Sequence, residues 1–525
     1  LIHQNRKYGY LSDDVFEHGK TQDRASFCGE PNLIKLNSQL RRIFQNIRFI
    51  VAVTLGFWLG LMSHLAVSQT DTNFDLPLLD TPKRLKVNNI FIIGNELTQK
   101  SVILRELDFT TDFYYDWETF MGILVADQKK LYNLRLFNSV EITPLIVADE
   151  EVEILIAVKE RWYIIPSVIF QLADRNFSEW WTNQNRDISR VNLGLKLNHN
   201  NVGGRNEKLR FSGQVGFTKS FDFLYNIPFF DKKQKQGLTF QLTFFDQKTI
   251  PVNSENNRQV FFKTESEDVL RKNFTTSIRY SYRRTFYNTH NVFLGFNSTW
   301  INPLVLQQNP NYFQHGTNRL RYLLLNYSFR HDKRDNVAYA TQGELLNLSV
   351  TKYGVFYGKE LDEVELNATA NKYFKINEKF HFNTGLTANW FLSVDQPYTL
   401  VRGVGYNPNF IRGYELNVIE GQQLYVHKNS FRWKFVDWSF DISDRINLDQ
   451  FNTIPITLYL SANFDHGYVK DRNYIPQNAR LTNQYLVGYG AGIDLVGFYD
   501  AVFRFEYSLN NQGEKTFFFN FKAPF

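Results

Sequence analysis

The stretch FRFEYSLN, residues 503–510, alternates at every step: Phe503, Phe505, Tyr507 and Leu509 fall on one side, and Arg504, Glu506, Ser508 and Asn510 on the other. Successive side chains of a β-strand point to opposite faces, so this reads as one strand with an aromatic face and a charged face. The pattern recurs. ITLYLSANFD (456–465) sets Ile456, Leu458, Leu460, Ala462 and Phe464 against Thr457, Tyr459, Ser461, Asn463 and Asp465. YLVGYGAGIDL (485–495) sets Tyr485, Val487, Tyr489, Ala491, Ile493 and Leu495 against Gly488, Gly490, Gly492 and Asp494. TFFFNFKAPF (516–525) carries Phe517, Phe519, Phe521 and Phe525 on one face, while Asn520 and Lys522 share the other with Phe518.

Read this way, residues 163–525 hold about 16 strands, an even number as expected of bacterial barrels. They begin near 163, 187, 206, 222, 237, 266, 289, 317, 340, 364, 379, 429, 455, 484, 500 and 514, with no convincing helix among them. The candidate at 222 is the weakest, and about 14, the next lower even number, is the alternative count. A soluble sandwich alternates too. Here the apolar face is aromatic to the last residue, and the opposite face carries full charges in mid-strand, which need water or partners. A closed transmembrane β-barrel satisfies both faces and leaves no edge in lipid.

Composition agrees. The chain has 525 residues, and aromatics make up 16% of it, with 49 Phe and 28 Tyr, which suits strands. Mean hydropathy is -0.36, which excludes a polytopic helical membrane protein. The net charge of +6 is no nucleic-acid signature. A single cysteine, Cys28, excludes disulfides and thiolate metal sites.

Residues 41–49 are basic, 50–62 apolar, and Ala66 and Ser68 occupy small-x-small positions. These are the parts of a secretory signal peptide, with the mature chain expected to start near Gln69. The domains expected are therefore 1–68 as an extension plus signal peptide, 69–83 as a spacer, 84–162 as a small α+β domain, and 163–525 as the barrel. Residues 1–34 read as an over-long translation start. Cys28 precedes the apolar run, which argues against a lipoprotein.

Within 84–162 the order is β-α-α-β-β. RLKVNNIFIIGN (84–95) is a strand ending in a Gly-Asn turn, LTQKSVILREL (97–107) a short helix with Thr98 as N-cap, and 117–137 a longer helix. Residues 140–147 and 151–161 are strands. Gly94-Asn95, the run Leu131…Leu134…Leu136-Phe137-Asn138 and the closing Val158-Lys159-Glu160 make this segment similar to a POTRA (polypeptide-transport-associated) domain.

Five barrel motifs point the same way. IRGY (411–414) is similar to a [VI]RG[FY] motif, FDHG (464–467) to a D-x-G strand motif, and HDKRDNVAYATQGE (331–344) to a D-x-R-D-N…P-x-x-G hairpin with Ala340 in place of Pro. NNVGGRNEKL (200–209) resembles an N-x-x-G-x-G hairpin, and GAGIDL with the terminal Phe525 matches the closing strands. Over 84–525 the chain resembles the outer-membrane protein 85 superfamily of BamA-like and TamA-like proteins, as a short member with a single POTRA domain.

The resemblance implies that Ile411, Arg412, Gly413 and Tyr414 lie in a long loop folded into the lumen, with Asp465 and Gly467 as strand partners. Alternation independently sets Asp465 on the polar face, where a desolvated Arg412 would need it. Arg402-Gly403, ten residues before Arg412-Gly413, reads as a turn or a secondary lumen contact. Pro166 and the penultimate Pro524 lack an N–H and so cannot donate to a ladder. In the family the chain resembles, the first and last strands meet at the barrel seam, so with Phe525 these prolines are expected either to mark a weakly paired seam between first and last strands or simply to end those strands.

No catalytic set stands out. His331-Asp332 and Asp465-His466 are neighbours, and neighbours on a strand face apart. There is no nucleophile elbow, Walker loop or metal cluster, so neither an enzyme nor a cofactor is expected. The implied function is outer-membrane protein assembly or translocation in a bacterial cell. Partners would be outer-membrane lipid, unfolded or exported clients received by a periplasmic POTRA domain, and accessory lipoproteins. The alternatives are a passive channel or anchoring barrel, and a two-partner secretion transporter. The latter resemble two POTRA domains plus a plug helix, for which 69–83 is short.

Overall fold

The computed structural model describes residues 84–522, except 149, 357–360, 394, 407, 442–452, 474–478, 498 and 500. The signal-peptide and spacer segments, Cys28, Pro524 and Phe525 lie outside the described residues.

The N-terminal domain runs β1 (Arg84–Ile93), α1 (Lys100–Leu104), β2 (Tyr114–Asp116), α2 (Trp117–Asn133), β3 (Phe137–Ala148) and β4 (Glu151–Glu160). Its sheet order is β2-β1-β4-β3. Alternation in β4 buries Val152, Ile154, Ile156 and Val158, and these meet Val102, Ile103, Phe120, Leu124 and Leu131 from the two helices. Asp116 caps α2 by accepting from the Thr119 N–H. Two details differ from expectation. The extra strand β2 pairs with the start of β1. Thr98 does not cap α1, which begins after Gln99 without a side-chain cap. The Thr98 hydroxyl is held instead at 2.9 Å from both the Tyr163 hydroxyl and Asn201 Nδ2.

Sixteen antiparallel strands follow, each paired with the next: β5 (Ile164–Leu172), β6 (Val191–Val202), β7 (Glu207–Gly216), β8 (Thr218–Ile227), β9 (Gln236–Gln247), β10 (Arg271–Arg283), β11 (Asn288–Ile301), β12 (Arg319–Asp332), β13 (Gly343–Tyr353), β14 (Glu363–Lys375), β15 (Phe380–Phe391), β16 (Gln423–Asp441), β17 (Thr453–Lys470), β18 (Tyr485–Val496), β19 (Val502–Asn510) and β20 (Lys515–Lys522). Among the described residues no ladder joins β20 to β5. No helix among them is long and apolar enough to cross a membrane.

The burial pattern is inverted relative to a soluble protein. On β19, Glu506 and Ser508 are 4% and 0% exposed, whereas Phe505 and Tyr507 are 43% and 49% exposed. Charged and hydroxyl side chains point inward and the aromatic belt points outward, as a barrel wall in lipid requires. Two short helices interrupt the loops where none was expected: α3 (Phe177–Thr182) and α4 (Pro303–Gln308). Asn176 and Asn302 cap them, and Pro303 sits in the first turn of α4.

One end of the barrel carries short turns and the N-terminal domain. The Gln99 N–H donates to Gly204 O at 2.9 Å in the β6–β7 turn. Asn133, at the end of α2, donates to Asp335 O at 3.0 Å in the β12–β13 turn. Trp162 N–H donates to the Tyr499 hydroxyl at 3.0 Å, near β19. Glu106 is almost fully buried between Arg105 and Arg283, the latter at 2.9 Å on the end of β10. Burial pushes the Glu106 carboxyl up, but Arg283 and Arg105 outweigh it and hold it below its ordinary 4.5. Burial lowers the Arg105 guanidinium to about 10.

Glu106→Ala would leave two guanidinium groups facing each other. It should weaken domain docking by about 3–5 kcal/mol, read as faster proteolysis or hydrogen exchange of 84–162 with the barrel intact. Because the folded value is depressed, the same contribution should be complete above pH 4.5 and fade as pH falls through the lower folded value.

Candidate functional site

Loop 392–422, between β15 and β16, turns back on itself. Arg402–Val404 pairs antiparallel with Ile419–Gly421, and the segment between them projects into the lumen. Its seat is apolar. Ile411 and Tyr414 are fully buried with Val404, Ile419, Leu424, Val426, Val469 and Leu486.

Against this floor Arg412 meets two carboxylates. Its Nη1 donates to Asp465 Oδ1 at 2.8 Å, and its Nε and Nη2 donate to Glu506 Oε1 at 3.0 and 2.9 Å. Its backbone N–H reaches Asp465 Oδ2 at 3.3 Å. Glu506 also accepts from Asn463 Nδ2 at 3.3 Å. A desolvated guanidinium is costly unless its donors are matched, and here three side-chain donors and the backbone N–H are.

Glycines set the approach. Gly413 has φ +83°, and a Cβ there would lie 2.7 Å from Leu509 O. A Cβ on Gly488 would lie 1.7 Å from Arg412 O, and one on Gly467 would lie 2.5 Å from Tyr425 O and 2.6 Å from Ile411 Cδ1. The loop backbone thus rests directly on the barrel wall, which only glycine permits. Asn510 Nδ2 donates to Gly413 O at 2.6 Å, and the Tyr414 hydroxyl bonds Asn511 Oδ1.

The structure therefore brings Ile411, Arg412, Gly413, Tyr414, Asp465 and Gly467 together. Glu506 and Gly488 were not singled out from sequence. Glu506 already lay on the polar face of its strand, so alternation made it eligible without selecting it. Arg402 is exposed. Its guanidinium lies 4.7 Å from the Tyr406 ring centroid and donates to Val401 O at 3.0 Å.

The neighbouring His/Asp pairs separate. Asp465 points inward, while His466 is outward, 2.9 Å from His427. His331 bonds Asn288 at 2.7 Å, and Asp332 bonds Arg330 and Arg334. Pro166 is exposed on β5 opposite Leu197, and β5 is an end strand of the sheet.

A second element enters from the turn end. The β12–β13 turn carries Tyr339 inward, where its hydroxyl donates to Asp494 Oδ2 at 2.7 Å. Arg504 grips the same carboxylate at 2.8 and 3.1 Å. Ala340, where a proline was expected, is buried, and its carbonyl accepts from Arg432 at 3.3 Å.

Comparison with known proteins follows this geometry. Residues 201–523, more than half of the chain, match the Omp85 superfamily domain. Among solved structures the chain is similar to CdiB from Escherichia coli, at 13% identity over 83% of this chain and 76% of that one, with a TM-score of 0.51. It is also similar to BamA from Haemophilus ducreyi lacking POTRA domains 1–3, at 13% identity over 83% and 84%, with a TM-score of 0.47. No curated protein matches it by sequence.

Arg412→Ala should destabilise the barrel by about 3–5 kcal/mol, measured as a lower temperature for loss of the folded band in heat-modifiability gels. Asp465→Ala should cost less, since Glu506 remains. The double variant should fall short of the sum by about 1–3 kcal/mol. Arg402→Ala should stay within about 0.5 kcal/mol of wild type; a larger effect than that of Arg412→Ala would reverse the assignment of the two Arg-Gly pairs. Gly488→Ala should displace the loop tip and reproduce the Arg412→Ala phenotype.

Proposed function

The chain belongs to the Omp85 superfamily, and from that premise we propose that it is a non-enzymatic outer-membrane protein assembly or translocation factor. The domain at 84–162 acts as its POTRA domain in the periplasm, and client polypeptides dock there by adding a strand to a sheet edge. The short-turn end of the barrel faces the periplasm and the long loops face outside. Unfolded or exported clients reach the membrane or the surface through the barrel or its seam. Accessory lipoproteins are candidate helpers.

The observation that carries this reading is that, among the described residues, the sheet ends at β5 and at β20 with no ladder between the two. Unpaired backbone groups in a bilayer cost several kcal/mol each, so an edge left without a ladder is suited to exchange partners. Pro166 on β5, the other end strand, has no N–H to donate to a closing ladder. A passive channel is less well supported, because the 411–414 loop and Tyr339 occupy the lumen.

Depletion should lower the abundance of other outer-membrane or surface proteins in a proteomic comparison. An unchanged surface proteome would sink the assembly reading. A disulfide locking β5 to β20 should abolish client delivery, whereas full activity with the lock in place would remove the seam from the mechanism.

A further inference from the structure

The loop between β5 and β6 does more than connect two strands. Arg175 donates Nη1 to Gly405 O at 2.9 Å and to Asn417 O at 3.1 Å, and Nη2 to Leu416 O at 3.2 Å. Its Nη2 also meets Glu179 Oε2 at 3.0 Å, on α3. Asn176 caps α3 by accepting from the Glu179 N–H at 2.8 Å, and its Nδ2 donates to Glu415 O at 2.6 Å. Two residues after Asn176, the buried Ser178 hydroxyl donates to the Phe517 carbonyl on β20. Thr516 of β20 in turn donates to the Glu415 carboxylate.

These contacts form one junction. The loop that seats Arg412 is gripped at 405 and 415–417 by Arg175 and Asn176. The same grip fixes the first turn of α3, which sets Ser178 on the last strand. Phe177 stacks on Trp181, with centroids 5.4 Å apart, and Trp181 is 49% exposed. An exposed tryptophan at the loop end of a barrel strand suits the aromatic girdle at a membrane interface.

The geometry points to a clasp: α3 and Arg175 close the loop-end half of the seam, and an extended client strand must displace them to pair with β20. This rests on the reading that the seam receives clients and adds how it is kept shut. Among the described residues β20 has a ladder to β19 alone, and its Phe517 carbonyl is met by a side-chain hydroxyl. A hydroxyl contact gives way to an incoming strand that offers several backbone bonds. Because Arg175 holds the segment that contains Arg412, opening the clasp also loosens the loop seated in the lumen.

The test uses the full chain in lipid nanodiscs and a labelled synthetic peptide, IIPSVIFQL, the sequence of residues 164–172 with a soluble lysine tail. This peptide can pair with the β20 edge only when the clasp is away. An occluded site lowers apparent affinity by the fraction of time it is open, so Arg175→Ala should bind the peptide about tenfold more tightly than wild type. Ser178→Ala should shift in the same direction by a smaller factor. Arg402→Ala lies outside the clasp and should bind as wild type does.

Equal or weaker binding by Arg175→Ala overturns the clasp. If that variant does not fold, as judged by its heat-modifiable band, Ser178→Ala decides alone, and no gain there overturns it. The assay contains no client. Peptide capture together with an unchanged surface proteome would keep the clasp and remove the assembly function. The opposite pair of results would remove the clasp only.

Discussion

A guanidinium withdrawn from bulk water must have its donors matched, and that requirement organises the centre of this barrel. Arg412 sits on a loop and its acceptors sit on two different strands, Asp465 on β17 and Glu506 on β19. The pairs hold only while those strands stay in register with β18 between them. Apolar packing of Ile411 and Tyr414 alone would leave the loop free to slide. The directional bonds of Arg412 give it one position. The glycines at 413 and 488 then set how close that position is to the wall.

The same constraint explains the inverted wall. Every strand of the carboxyl-terminal half presents charge or hydroxyl inward, and the inward groups answer one another: Tyr339 and Arg504 on Asp494, Arg412 on Asp465 and Glu506, Asn463 on Glu506. Outward, the aromatic rings pair across strands, as in Phe503 with Phe521 at 4.4 Å and Phe505 with Phe519 at 4.9 Å. Polar matching inside and ring contact outside both operate at period 2, so one strand sequence satisfies both.

That period is why the barrel was legible in the sequence. Predicted and observed strand starts agree within one or two residues for most of β7 to β20. The largest miss is instructive. β16 begins at Gln423, six residues before the predicted start near 429. Its first inward residues, Leu424 and Val426, are apolar because they floor the seat of the loop, and this erased the polar-in signal. The helices α3 and α4 have six residues each, too short for a helical period to show. Thr98 looked like a cap because capping is local, but its partner, Tyr163, is 65 residues away. For the site, alternation placed Asp465 inward and resemblance supplied the loop motif. Choosing Glu506 from among the inward acids needed the strand register, which no local pattern encodes.

The seat of the loop also has a place in time. Its contacts join Arg412 to residues 53 and 94 positions downstream, and Gly413 to Asn510, 97 positions downstream. Loop 392–422 emerges from synthesis before the strands that carry Asp465, Glu506 and Asn510, and the seat of Arg412 exists only once β17, β18 and β19 have paired. Lumenal insertion of the loop is therefore a late folding event, with long-range contacts that carry a high closure cost until the wall is complete. A barrel that stalls before its final hairpin lacks Glu506 and Asn510, so Arg412 and Gly413 have no completed seat.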